Sequence, residues 1–366
     1  MTSQIRTLME GHPERVRDQR IARVVPLQPP TEILADLPLT RQQEETVLRS
    51  RSDIVEILRR EDDRLLVVVG PCSVHDVEAA VEYARRLAAL ADTLRDDLCV
   101  AMRVYFEKPR TTTGWKGMIN DPHLDGTGDV NAGLHTARGL LLEVLALGLA
   151  TASEFLDPIT PQYISDAVTW AAVGARTTES QIHRNLASGL SMPVGFKNGT
   201  AGNVGIAVDA VRAAASPHAF TGVTLNGSPA ILHTRGNEDA HVILRGGRQA
   251  PNYDAAAVKG TLQALRTAAL PERIVVDASH DNSGKDPARQ VEVVSDLAEQ
   301  IGAGNPAIVG VMLESFIAAG RQDLVPGEPL VFGQSITDAC MSWETTTLVL
   351  DQLAGAVRAR RAARAA

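Results

Sequence analysis

The 366-residue chain is poor in cysteine and in aromatic residues, with three Cys, three Trp, four Tyr and six Phe. Cys72, Cys99 and Cys340 are too few and too scattered for a disulfide framework, which points to a reducing, cytoplasmic setting. No run reaches the roughly 18 uninterrupted apolar residues that a membrane-spanning helix requires. The most apolar stretch, Gly139 to Ser153, is interrupted by Glu143. The first twenty residues have no apolar core of the secretory type, so no secretory signal is expected. Basic residues are in deficit. The 36 Lys and Arg against 44 Asp and Glu leave a net charge of −8, which disfavours a general binder of nucleic acid or anionic membrane. The G-x-x-x-x-G-K-[ST] phosphate loop, the G-x-S-x-G nucleophile elbow and G-x-G-x-x-G are all absent.

What remains is a globular composition, 44% apolar and 22% charged. Such a length suits two or three ordinary domains or one α/β barrel with additions. Residues 1–30 form a polar arm ending in Gln28-Pro29-Pro30. Thr40 and Gln43 have the spacing of a capping box, and a helix is predicted from there to about Arg60, with Val47, Ile54, Ile57 and Leu58 on its apolar side. From Leu65 onward, short apolar runs alternate with amphipathic stretches. The runs begin near Leu65, Leu98, Leu149, Ala171, Pro193, His241, Arg273 and Ala307. Continuous apolar runs of this length suit strands covered on both faces. Eight of them, alternating with helices, predict a closed parallel (β/α)8 TIM barrel.

The strand starts are spaced by 33, 51, 22, 22, 48, 32 and 34 residues, and the two long gaps must hold insertions. The first contains KPRTTTGWKGMINDPHLDGTGDVN, a long loop after the second strand. The second contains two β-prone runs joined across Asn226-Gly227, a hairpin signal. The expected organisation is therefore an N-terminal arm and helix over 1–64, then a barrel over 65–366 with an inserted hairpin at about 218–234. An open doubly wound sheet is the alternative.

Barrel sites are built at the C-terminal strand ends. Two groups of residues collect there. Arg103, Lys108, Arg110, Arg176, Lys197 and Arg245 are cations suited to a multiply charged anion. Cys72, His280, Glu314 and Asp338 are all metal-ligand types, and a mixed S/N/O set suits a divalent Mn, Fe, Co or Zn ion. Their spacing matches no compact zinc motif. Ordinary roles also fit each one: a small buried thiol for Cys72, a turn residue for His280, a helix start or N-cap for Glu314 and Asp338. Cys340 is expected in the core on the following helix, and Gly246-Gly247 is either a backbone approach to a ligand or a tight turn.

Seven blocks then resemble one family: DDRLLVVVGPCSVHD, MRVYFEKPRTTTGWKGMINDP, GARTTESQIHRNLASGLSMPVGFKNGT, HVILRGG, DASHDNSGK, GVMLES and SITDACMSWE. The chain resembles type I 3-deoxy-D-arabino-heptulosonate 7-phosphate (DAHP) synthases of the microbial feedback-regulated group, from about Leu34 to Leu350. The resemblance implies a transferase that condenses phosphoenolpyruvate with erythrose 4-phosphate, releasing phosphate, at the entry to the shikimate pathway of aromatic amino-acid biosynthesis. It implies metal ligation by Cys72, His280, Glu314 and Asp338. Phosphoenolpyruvate contacts fall on Arg103, Lys108, Arg176, Lys197 and Arg245, and erythrose 4-phosphate contacts on Arg110 and Thr111. Lys108 and His280 take the catalytic positions. An allosteric aromatic amino-acid site is implied at Pro161, Gln162, Leu186, Leu190, Ser191, Phe220 and Gly222, with glycine at 222 leaning to tyrosine. In the family the arm helps to build the homo-oligomer, a dimer or tetramer. A related octulosonate-type phosphosugar synthase and a catalytically inactive regulatory barrel are the competing readings.

Overall fold

In a computed structural model the described residues are 18–365, apart from Thr111, Thr113 and Pro326. Eight parallel strands close into a barrel: β1 (Leu65–Gly70), β2 (Leu98–Arg103), β3 (Ala150–Glu154), β4 (Trp170–Val173), β5 (Val194–Lys197), β8 (His241–Leu244), β9 (Ile274–Asp277) and β10 (Ile308–Glu314). Closure pairs β1 with β10, Gly70 lying opposite Glu314. Every barrel strand is buried along its whole length, which is why the sequence showed unbroken apolar runs rather than alternation. The TIM barrel expected from the sequence is the fold observed.

Side chains still alternate between two layers. Leu65, Val67 and Val69 face the surrounding helices, while Leu66 and Val68 face the barrel interior. That interior is narrow. It is filled by two large rings, Trp170 and Tyr105, beside small residues such as Ala101, Ala152 and Ala172.

Two helices precede the barrel, α1 (Pro30–Asp36) and α2 (Arg41–Arg59). The first was not anticipated; the two prolines that end the polar arm are its N-cap and first helical residue, where proline's fixed φ is already helical. The Thr40–Gln43 capping box forms in both directions. Val47 packs in the outer layer, whereas Ile54, Ile57 and Leu58 join the interior cluster. The second half of α2 therefore plugs the N-terminal end of the barrel.

The inserted hairpin pairs β6 (Ala219–Val223) with β7 (Pro229–His233) around Asn226-Gly227, and Gly227 has a φ of 78°. It stands outside the barrel and touches the N-terminal segment, Thr31 N–H donating to Leu225 O at 2.9 Å. Cys340 is buried but lies in the loop before the last helix, Trp343–Ala365, rather than on it.

Candidate active site

Each strand delivers the residue that follows or ends it to one rim. β1 ends at Gly70, and Pro71 leads directly into Cys72, whose thiol is wholly buried. Lys108, on the loop after β2, donates from Nζ to Cys72 Sγ at 3.1 Å and to Cys72 O at 3.2 Å. Glu314 is the last residue of β10, neither a helix start nor a cap, and accepts Arg103 Nη2 at 2.8 Å. His280 sits in the turn after β9 with a φ of 52°. Its Nδ1 lies 2.8 Å from Asp277 Oδ2, and its Nε2 lies 3.7 Å from Glu314 Oε1. Asp338 caps no helix; it lies on the long loop after β10 and accepts Lys285 Nζ at 3.1 Å on both oxygens.

The ligand atoms of Cys72, Glu314 and Asp338 all fall within 4.8 Å of one another. One thiol and two carboxylates so close, with an imidazole 3.7 Å from one of them, form a donor set that fits a borderline divalent cation. Asp277 and Ser279 at Nδ1 orient the imidazole in the way that partners of metal-binding histidines do. Burial pushes the Cys72 thiol up, and the Glu314 carboxylate adds to that effect. Burial also opposes charge on Asp338, but Lys108 and Lys285 outweigh it and hold the carboxyl below its usual range.

The cations surround this group. Lys197 ends β5 and donates to Glu154 Oε2 at 3.0 Å. Arg245 follows β8 and pairs with Asp281. Arg176 is exposed after β4, its Nη1 donating to Pro109 O at 3.5 Å. Arg110 is exposed and donates from Nε to Trp115 O at 2.7 Å. Thr111 lies outside the described residues. Among the described residues, Arg103, Lys108, Arg110, Arg176, Lys197 and Arg245 join Arg248 and Lys285 in lining a cleft of about 380 Å³, eight Lys and Arg residues against three carboxylates. Glu107, next to Lys108, points away, accepting from Leu156 N–H at 3.3 Å and Asp157 N–H at 3.2 Å. Burial pushes its carboxyl up to about 8.

Sequence reasoning passed over Glu154 and Asp277, the last residues of β3 and β9. Listing the end of the third strand would have found Glu154; Asp277 was hidden because the seventh apolar run was read as continuing to His280, three residues past the strand's end. Gly246-Gly247 serves loop packing: a Cβ on Gly247 would lie 2.4 Å from Gly202 Cα. The seven effector-site positions are spread over separate elements. Pro161 and Gln162 begin a short helix, Leu186 lies on the helix Gln181–Ala187, Leu190 and Ser191 line a groove with Arg51 and Met192, and Phe220 and Gly222 lie on β6. The N-terminal segment passes beside the first of these places, Tyr163 Oη donating to Gln28 O at 2.7 Å.

Residues 36–351 match the model of the DAHP synthetase I family. The Phe-sensitive phospho-2-dehydro-3-deoxyheptonate aldolase of Escherichia coli (strain K12) is 54% identical over 94% of this chain and 98% of its own length. The tyrosine-inhibited enzyme of Schizosaccharomyces pombe is 51% identical over 95% of each. The structure of phospho-2-dehydro-3-deoxyheptonate aldolase from Francisella tularensis SCHU S4 superposes with a TM-score of 0.91 at 48% identity, covering 93% of this chain and 99% of that one. With this barrel, this rim and a family match spanning nearly all of the barrel, the chain belongs to the DAHP synthetase I family.

Proposed function

We propose that the chain condenses phosphoenolpyruvate with D-erythrose 4-phosphate to give DAHP and inorganic phosphate. The observation that carries this reading is the cationic cleft built directly against Cys72, His280, Glu314 and Asp338. Arg103, Lys108, Arg176, Lys197 and Arg245 hold the three negative charges of phosphoenolpyruvate, and Arg110 with Thr111 holds the erythrose phosphate. Guanidinium groups grip phosphate and carboxylate through paired N–H donors, which fixes orientation as well as charge. The methylene carbon of phosphoenolpyruvate attacks the aldehyde carbon. Water adds to the cationic centre at the next carbon, and phosphate leaves by C–O cleavage. Lys108, with its ammonium beside Cys72, delivers a proton to the forming alkoxide. His280, tethered through Nδ1 to Asp277, presents Nε2 to the same region. Holding both anions in one rigid mouth supplies proximity, and the fixed cations stabilise the departing phosphate.

Cys72, His280, Glu314 and Asp338 are the residues that would hold a divalent Mn, Fe, Co or Zn ion. When bound, such a cation polarises the aldehyde as a Lewis acid. The effector is an aromatic amino acid, with glycine at position 222 favouring tyrosine; a Cβ there would lie 2.5 Å from Leu232 Cδ1, so a serine would displace that side chain. A homo-oligomer, dimer or tetramer, is supported by the apolar residues the isolated chain exposes: Val24 and Val25 on the arm, Leu225 and Ile231 on the hairpin.

A phosphate-release assay tests the whole reading. Turnover is expected with erythrose 4-phosphate and not with arabinose 5-phosphate. It should be lost on chelation with EDTA, return with Mn²⁺ or Co²⁺, and be inhibited by tyrosine. Preference for the five-carbon sugar would favour the octulosonate reaction, and no turnover with any metal would favour a regulatory barrel.

A further inference from the structure

Tyr105 has no part in the scheme above, yet it sits under its two most deeply buried cations. It follows β2 in the segment Arg103-Val104-Tyr105-Phe106, and the alternation of an extended chain puts Arg103 and Tyr105 on one side. Tyr105 belongs to the interior cluster, Val104 and Phe106 to the outer layer. The Arg103 guanidinium carbon lies 3.6 Å from the centroid of the Tyr105 ring. Lys197 Nζ lies 5.5 Å from the same centroid. Both distances are within the range of a cation–π contact.

Arg103 is completely buried. Its Nε donates to Pro71 O, its Nη2 to Cys72 O and Glu314 Oε1, and its Nη1 to Met312 Sδ at 3.0 Å. Those bonds run along the plane of the guanidinium. The ring covers a face of it, and so sets the one displacement the bonds resist least. The phenolic oxygen contributes little, since among the described residues its only partner is Met312 Sδ at 3.9 Å. Burial pushes the phenol above its ordinary range, so it stays neutral.

The chemistry of the substrate gives that neutrality a purpose. Arg103 and Lys197 are each already paired with a carboxylate, Glu314 at 2.8 Å and Glu154 at 3.0 Å, and must still face one trianion. A further carboxylate between them would cancel the charge that attracts the ligand. An aromatic face stabilises both cations through its quadrupole and leaves their net charge intact. We propose that Tyr105 is a positioning residue for phosphoenolpyruvate, its ring holding Arg103 and Lys197 at their working separation.

This assignment rests on the phosphoenolpyruvate roles proposed above, and the experiment separates the two. Phenylalanine, 4-fluoro-, 3,5-difluoro- and 3,4,5-trifluorophenylalanine are installed at position 105 of the Mn²⁺-loaded full chain. These rings have nearly the same shape but a progressively weaker quadrupole. Tyr105→Phe is expected to bind phosphoenolpyruvate like the unsubstituted chain. The calorimetric Kd for phosphoenolpyruvate should then rise stepwise with fluorination, about tenfold across the series, while the KM for erythrose 4-phosphate and the melting temperature stay constant. A phosphoenolpyruvate Kd that is flat across the series overturns the positioning role, as does an equal change for both substrates. A chain that binds phosphoenolpyruvate with the fluorine dependence but does not condense it overturns the proposed reaction and leaves the ring's role standing. A chain that does not bind phosphoenolpyruvate overturns both.

Discussion

Arg245 enters the cleft one residue beyond β8, with Asp281 as its ion-pair partner and almost no exposure of its own. Removing a guanidinium that contacts a phosphate or carboxylate forfeits a charge-assisted bond of about 1.5–3 kcal/mol. Arg245→Ala is therefore expected to raise the KM for phosphoenolpyruvate at least about tenfold, with the KM for erythrose 4-phosphate nearly unchanged; steady-state kinetics varying each substrate in turn checks it. The residue scale was where the sequence was most explicit. Cys72, His280, Glu314 and Asp338 announced themselves by ligand chemistry, and the cations by their place at strand ends. Their convergence was not legible from spacing, because these donor residues come from opposite ends of the chain and meet only when β10 closes onto β1. Tyr105 was illegible for another reason. An aromatic residue in an apolar run looks like core, and it is core; its contact with Arg103 is visible only in three dimensions.

At the scale of elements, α2 shows how a correctly located helix can hide its job. Its apolar positions were read from their spacing, and its start from the capping box. Nothing in that pattern says that Ile54, Ile57 and Leu58 close the bottom of the barrel while Val47 packs outside it. Ile54 is wholly buried among interior side chains. Ile54→Ala should destabilise the fold by about 2–5 kcal/mol, as large-to-small core changes do. Chemical denaturation would measure that loss, while substrate KM values, set at the far end of the barrel, should stay close to those of the parent. α1 escaped notice because Pro29-Pro30 suits both an extended arm and a helix N-terminus; the choice is made by Ile33, which is buried in the outer core.

On the scale of the whole molecule, the net charge of −8 conceals a strong separation, since among the described residues the cleft gathers eight cations against three carboxylates. The opposite end of the barrel shows another consequence of burial. His241 is enclosed there, receiving Trp170 Nε1–H at Nε2 with a separation of 3.1 Å and bonded through Nδ1 to Asp239 O. Burial, aided by Arg273, lowers its pKa from 6.5 to about 3. The unfolded chain takes up a proton at this position below about pH 6.5 and the folded chain does not. Stability from this group is thus complete above that pH and falls as pH drops, by up to about 1.4 kcal/mol per pH unit, until the folded-state value is reached. His241→Gln, which keeps an acceptor for Trp170, should shed one proton from that dependence; urea midpoints between pH 7 and pH 5 would reveal the shallower slope. The sequence by itself determined the order of the eight barrel strands, the helix α2, the inserted hairpin and the chemical types at the rim, and favoured a closed barrel over an open sheet. All of these follow from local periodicity, turn chemistry and residue identity, which neighbours along the chain carry. Only the tertiary structure decided which side chains meet: the donor group of Cys72, Glu314 and Asp338, the plug of α2, and the ring shared by Arg103 and Lys197. Those contacts depend on strand register and barrel closure, which are set by packing across the whole molecule.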